Sequence, residues 1–228
     1  MSTPTLRLER RLLRQGVTTV AGMDEVGRGA IAGCVSVGVA VVTAQTRTAP
    51  NGLRDSKLLA EPERERLFPR LQRWVSDYAV GSSSPQEIDR WGLSTALRLA
   101  AHRALARTGT VDHLILDGTW DYVTPPEQLV LTHQPEWPSI QHPEVSCVVK
   151  ADRSCSSVAA ASVLAKVTRD RMMIDLARTQ PDYRWQDNKG YSSPEHQAAI
   201  ARHGLCELHR RSWNITVDPA AALAHSAS

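Results

Sequence analysis

At 228 residues and 25.1 kDa, with 42% hydrophobic and 22% charged side chains, the chain can bury one sizeable core, and its longest apolar run, Ala30 to Ala44, is too short and too β-branched to span a membrane. Four scattered cysteines (34, 147, 155 and 206) exclude a disulfide framework or a zinc ribbon, and a net charge of +3 permits a polyanionic partner without requiring one. The first sixteen residues mix charges among leucines and lack the basic start and apolar centre of a secretory leader, so the chain is expected to be cytoplasmic.

Residues 4–15 place leucines at 6, 8, 12 and 13 among arginines, the spacing of a short basic amphipathic helix. This sets an N-terminal segment, 1–16, apart from a single body, 17–214, and from a fraying tail, 215–228. Val17 to Asp24 reads as a strand. After the glycine-rich turn Gly27 to Gly33, Cys34 to Thr43 reads as a second strand, so the pair forms a hairpin. Residues 61–73 predict a helix interrupted near Pro69, followed by a third strand, Val75 to Ser82. Ser84, Pro85 and Glu87 supply an N-cap, a first-position proline and an early acid, and Thr95 to Arg107 has helical spacing.

His113 to Asp117 is a short apolar run ending in an acid, which suits a buried strand. Residues 119–144, with five prolines, read as a long surface loop, and Val145 to Val149 reads as a fifth strand. Ser156 to Arg178 is the longest helix, with small residues at 159–162 that allow close packing on a sheet. A last helix begins at Ser193-Pro194-Glu195-His196 and ends at Gly204. The order of elements predicts an α/β domain, a mixed five-stranded sheet covered by helices.

Three predicted strands finish in carboxylates: Asp24 and Glu25 after the first, Asp117 after the fourth, Asp152 after the fifth. Each alone could be a simple cap. Gathered at one sheet edge, four such groups repel one another unless cations neutralise them, and all-oxygen ligation suits Mg²⁺ or Mn²⁺. Two such ions about 3.5–4 Å apart can clamp the attacking and leaving oxygens of a phosphodiester. Gly27-Arg28-Gly29 follows the paired acids, where glycines let the backbone approach a ligand and Arg28 offers a forked donor. The same glycines match a dinucleotide fingerprint only in letters, because a strand and not a helix follows. No P-loop and no G-x-S-x-G is present. Tyr191 can either stack on a sugar or base or rest on the core, and Lys57, Lys166 and Arg169 can either bind phosphates or remain solvated.

Met23-Asp24-Glu25-Val26-Gly27-Arg28-Gly29 resembles the signature of the type 2 ribonucleases H, the bacterial ribonuclease HII family. Further segments follow in that family's order: Asp55-Ser56-Lys57-Leu58, Leu116-Asp117-Gly118, Lys150-Ala151-Asp152, the stretch from Ala159 to Asp170, Lys189-Gly190-Tyr191 with His196, and His209-Arg210-Arg211-Ser212. The resemblance covers residues 17–213. It implies a ribonuclease H-like fold with a C-terminal helical extension, and an endoribonuclease acting on RNA/DNA hybrids and 5′ of single ribonucleotides embedded in duplex DNA, leaving 3′-hydroxyl and 5′-phosphate ends.

The resemblance makes Asp24, Glu25, Asp117 and Asp152 the catalytic, metal-holding acids. It has Gly27, Arg28 and Gly29 read the ribose 2′-hydroxyl, Tyr191 stack at the RNA-to-DNA junction, and Asp170 serve a supporting role. Lys57, Lys166 and Arg169 are expected on the nucleic-acid backbone, and the chain is expected to act as a monomer without a membrane. Ala30, Ser193 and Trp213 depart from the family's usual proline, threonine and phenylalanine, as packing variations. A DNA-specific nuclease of related fold would lack the Gly-Arg-Gly and Lys-Gly-Tyr segments, and a non-catalytic binding module would not need all four acids.

Overall fold

The computed structural model describes residues 3–125 and 135–215. The last residues of the predicted tail and the middle of the 119–144 loop lie outside that set. Five strands form one mixed sheet: β1 (Val20–Val26), β2 (Val35–Val42), β3 (Asp77–Ser83), β4 (His113–Asp117) and β5 (Glu144–Val148), in the order β3-β2-β1-β4-β5. β2 is antiparallel to both β1 and β3, whereas β4 runs parallel to β1 and to β5.

The seven α-helices of the described residues are α1 (Arg7–Arg14), α2 (Glu61–Trp74), α3 (Pro85–Leu105), α4 (Ala151–Ser154), α5 (Ser156–Thr179), α6 (Trp185–Asn188) and α7 (Pro194–His203). α3 packs with β2 and β3 over a core of valines, alanines and leucines, while α2 and α5 share a second core built on Leu53, Phe68, Leu71 and Leu164. The small residues of α5 bring it almost onto the strands. A Cβ at Gly22 would sit 2.2 Å from the Ser157 carbonyl carbon, and one at Gly38 would sit 2.5 Å from the Ala161 oxygen. No helix among the described residues is long and apolar enough to cross a membrane.

Three expectations are corrected. β1 begins at Val20, not Val17, because the Asp112 carboxylate takes the backbone N–H groups of Thr18 and Thr19 at 2.8 and 2.9 Å and holds that segment as a turn. The strand then runs through Asp24 and Glu25, which pair with Gly38 and Val37. α2 continues through Pro69, since Leu67, Phe68 and Leu71 are buried on both sides of the ring and hold the two halves in line. The segment after β4 is not all surface, because Tyr122 and Val123 are buried in the first core.

Candidate active site

The parallel pairing of β1 and β4 places Met23 opposite Leu116, so Asp24 and Asp117 stand one step further along the same edge. Asp117 Oδ1 accepts the Ala151 N–H at 2.6 Å, which ties the end of β4 to the turn that carries Asp152. That turn is forced by Lys150 in the left-handed region, φ 56°. Asp24 and Asp152 are buried; Glu25 and Asp117 are partly open.

Burial first, and then the charges of Glu25 and Asp117, push the Asp24 carboxyl up to about 7, against a hydrogen bond from Ser162 and the charge of Lys57. Burial, then the charges of Asp117 and Asp55, raise Asp152 to about 6. Partial burial opposes a charge on Lys57, but the carboxylates of Asp24, Asp55, Asp152 and Glu25 outweigh it and raise that amine. The edge therefore carries more negative charge than its one lysine offsets.

A divalent cation fits this donor set by its chemistry: hard carboxylate oxygens, two of them driven toward protonation by their surroundings. Among the described residues, no three His, Cys, Asp or Glu side chains stand arranged to hold one metal ion. Mg²⁺ takes one or two carboxylates and completes its shell with water and substrate phosphate, so it does not need three protein ligands on one ion.

Beside the acids runs the loop from Gly27 to Cys34. Gly27, at φ 80°, lies so near Arg169 that a Cβ would fall 2.1 Å from its Nε, whereas nothing lies within 4 Å of the corresponding point on Gly29. Gly29 therefore offers open backbone next to the carboxylate edge. The Arg28 side chain is 58% exposed and its Nη1 lies 3.6 Å from Glu25 Oε1.

The remaining expected residues divide. Tyr191 is exposed, its ring seated over Lys166 Nζ and the Arg169 guanidinium at 5.6 and 5.4 Å. Lys166 donates to Asp170 at 2.7 Å, and Asp170 also meets Arg64. Arg169 departs from the expected phosphate contact. It is fully buried and its donors are spent on the carbonyls of Cys34, Lys189 and Ala32, because it closes the space between the glycine loop and the Tyr191 loop.

Four residues escaped sequence reasoning. Arg210 is fully buried and donates to the carbonyls of Gly27, Arg28 and Gly33. Asp55, 1% exposed, accepts the Lys57 N–H, meets Arg153 at 3.5 Å, and sets its charge against that of Asp152. Ser162 lies beside Asp24, its hydroxyl oxygen 2.8 Å from that of Ser56. The buried Tyr122 hydroxyl has no hydrogen-bond partner among the described residues and lies in the field of Glu25, Asp24 and Asp117. Asp55 and Arg210 sit in segments that the sequence had singled out, but nothing in their neighbours along the chain signals burial.

The sequence profile of one family, ribonuclease HII, matches residues 21–216. The chain is 46% identical over 212 residues to the ribonuclease HII of Streptomyces avermitilis, covering 92% of this chain and 83% of the relative. Ribonuclease H2 from Pyrococcus horikoshii OT3 is similar in structure, with a TM-score of 0.57, 25% identity and coverage of 92% of this chain and 100% of that one. Bst-RNase HIII solved in complex with Mn²⁺ shares the fold at a TM-score of 0.63 and 23% identity, over 93% of this chain and 71% of its own.

Proposed function

Because the chain belongs to the ribonuclease HII family, whose members cleave the RNA of RNA/DNA hybrids, we propose that it also incises duplex DNA on the 5′ side of single embedded ribonucleotides, by two-metal-ion hydrolysis leaving 3′-hydroxyl and 5′-phosphate ends. The observation that carries this reading is the adjacency of two unlike features: an edge of crowded carboxylates, and a loop whose Gly29 backbone is open to a ligand. The first suits phosphodiester chemistry at any nucleotide, and the second suits recognition of one 2′-hydroxyl, the group that separates RNA from DNA.

Asp24, Glu25, Asp117 and Asp152 would hold the cations, Mg²⁺ or Mn²⁺. What a bound pair supplies is an acidified water for in-line attack and positive charge for the departing 3′ oxygen. The chain's own residues do the rest. Gly27 and Gly29 present backbone groups to the ribose, and the exposed Arg28 adds a donor. Tyr191 supplies a stacking face whose position is set by Lys166 and Arg169. Lys57, exposed at the rim of the acids, meets the phosphate. Such an activity would remove primer RNA and misincorporated ribonucleotides, with residues 17–214 as the catalytic body of a monomer.

The test is an end-labelled DNA duplex carrying one ribonucleotide, beside all-DNA and RNA/DNA duplexes, with Mn²⁺, Mg²⁺ or EDTA. Metal-dependent incision 5′ of the ribonucleotide with the all-DNA duplex intact is expected. Cleavage of the all-DNA duplex would overturn the 2′-hydroxyl reading, and cleavage in EDTA would overturn the metal reading.

A further inference from the structure

A groove of about 1200 Å³ runs between α1 and residues 48–53. Arg7, Arg10, Arg11 and Arg14 line it and no Asp or Glu does. All four arginines are exposed, and none is ion-paired among the described residues. A solvated basic helix would be free to shift, but this one is fixed. Glu9, fully buried, accepts from the Ser157 N–H at 2.9 Å and from its hydroxyl at 2.8 Å. Thr5 hydrogen-bonds on both sides to Ser154 and Ser156, and leucines 8, 12 and 13 pack against Val20, Ile115 and Val158. One face of α1 is thereby used up in docking, and the arginines are held toward the groove.

Short stretches of chain also join the walls of the groove to the carboxylate edge. Leu53 on its wall stands two residues before Asp55, Ser156 stands four after Asp152, and Arg153 reaches Asp55 at 3.5 Å between them. From Arg7 to Arg14 the helix axis rises about 10 Å, the length of about three phosphates along one strand of a duplex.

We propose that this groove is a second nucleic-acid contact, in which the four arginines of α1 take the phosphate backbone of the duplex beyond the scissile bond. The inference rests on the hydrolytic reading for its substrate. Its chemistry is that of a polyanion with regular spacing, which a row of exposed guanidinium groups on a docked helix, without acids among them, is built to meet.

The experiment is fluorescence anisotropy in EDTA, over a salt series, with a two-turn DNA duplex carrying one ribonucleotide and its all-DNA counterpart. The proteins are wild type, the quadruple Arg7→Gln/Arg10→Gln/Arg11→Gln/Arg14→Gln variant, its two half-variants, and the quadruple Lys variant. The Gln variant is expected to lose at least about tenfold in affinity near 0.1 M salt and to flatten the salt slope by about 2 to 3, near 0.9 per phosphate given up. The loss should be equal on both duplexes, since phosphate contacts carry no sequence information. Each half-variant should show part of the loss, and the Lys variant should keep the slope.

An unchanged slope in the Gln variant would overturn the proposal and leave an acidic protein segment as the rival occupant. A Lys variant as impaired as the Gln variant would overturn it too, by making the helix merely structural. Binding is read without cleavage. A flattened slope in a protein that cleaves no duplex would therefore sink the hydrolytic reading and spare the groove, while normal cleavage with an unchanged slope would do the reverse.

Discussion

Arg169 and Arg210, both fully buried, hold one loop between them: Arg169 donates to the carbonyls of Ala32 and Cys34, and Arg210 to those of Gly27, Arg28 and Gly33. Burial, and next to it the charge of Arg169, lower Arg210 to about 10, so the pair costs energy to bring together. What it provides is a fixed path for the residues proposed to read the ribose. Arg210→Lys keeps the charge but cannot reach three carbonyls at once. Two buried carbonyls left bare at about 1–3 kcal/mol each should lower Tm by roughly 4–20 °C. An unaltered melt would show that the loop holds itself.

The two glycines of the loop should respond in opposite ways. Gly27→Ala meets a left-handed backbone and the Arg169 side chain at 2.1 Å, and should cut Tm by several degrees along with activity. Gly29→Ala meets nothing within 4 Å and should leave Tm within about 2 °C, while lowering cleavage at a single ribonucleotide on the order of tenfold. Thermal melts and incision rates on the same preparations check both. Equal loss of Tm in the two variants would remove the distinction between a glycine the fold requires and one whose side is open.

The sheet was largely legible in the sequence because alternation and strand-end acids are local patterns; β2, β4 and the long helix α5 lie within a residue or two of expectation. The edge of acids was legible for the same reason. What escaped was set by contacts distant along the chain. Arg210 owes its burial to carbonyls more than 170 residues away, Asp55 meets its counter-charge in the distant Arg153, and Thr18 and Thr19 are withdrawn from β1 by Asp112. Arg169 shows the complementary failure. Its charge suggested a phosphate contact or a solvated surface, and only the packed structure shows its donors already taken.

A buried histidine pair should make the fold acid-sensitive. His196 bonds through Nδ1 to the Tyr191 carbonyl, which leaves its Nε2 to accept from Trp185 Nε1 and His209 Nε2, both at 3.1 Å. A proton on that nitrogen would set N–H against N–H. Burial, and then the neighbouring ring, lower His209 to about 4, below its unfolded value of 6.5. The stability this represents is complete above pH ~6.5 and is lost as pH falls toward ~4, about 3 kcal/mol in all. Urea unfolding between pH 4 and 8 should show that decline, and His209→Gln should flatten it. A decline of equal slope in the variant would assign it elsewhere.

Tyr191 should matter to binding and not to folding. Its ring is exposed and rests on Lys166 and Arg169 without burying a core. Tyr191→Phe should preserve KM for the hybrid, and Tyr191→Ala should raise it roughly 5- to 150-fold, as for loss of one base stack of about 1–3 kcal/mol. Tm should stay within a few degrees. A large fall in Tm with KM unchanged would return Tyr191 to a packing role.

Asp24 is a buried acid whose charge Lys57 and Ser162 offset only in part. Asp24→Asn removes that charge at nearly constant shape, so in EDTA at pH 8 the variant should melt at or above the wild-type temperature. The deciding measurement is cleavage of an RNA/DNA hybrid by this variant with Mn²⁺, with the dissociation constant for the same hybrid taken in parallel. Hydrolysis reduced by at least about 10³-fold, some 4 kcal/mol of barrier, with hybrid affinity retained, is the predicted result. Turnover near the wild-type rate would contradict the assignment of this carboxylate edge as the hydrolytic centre.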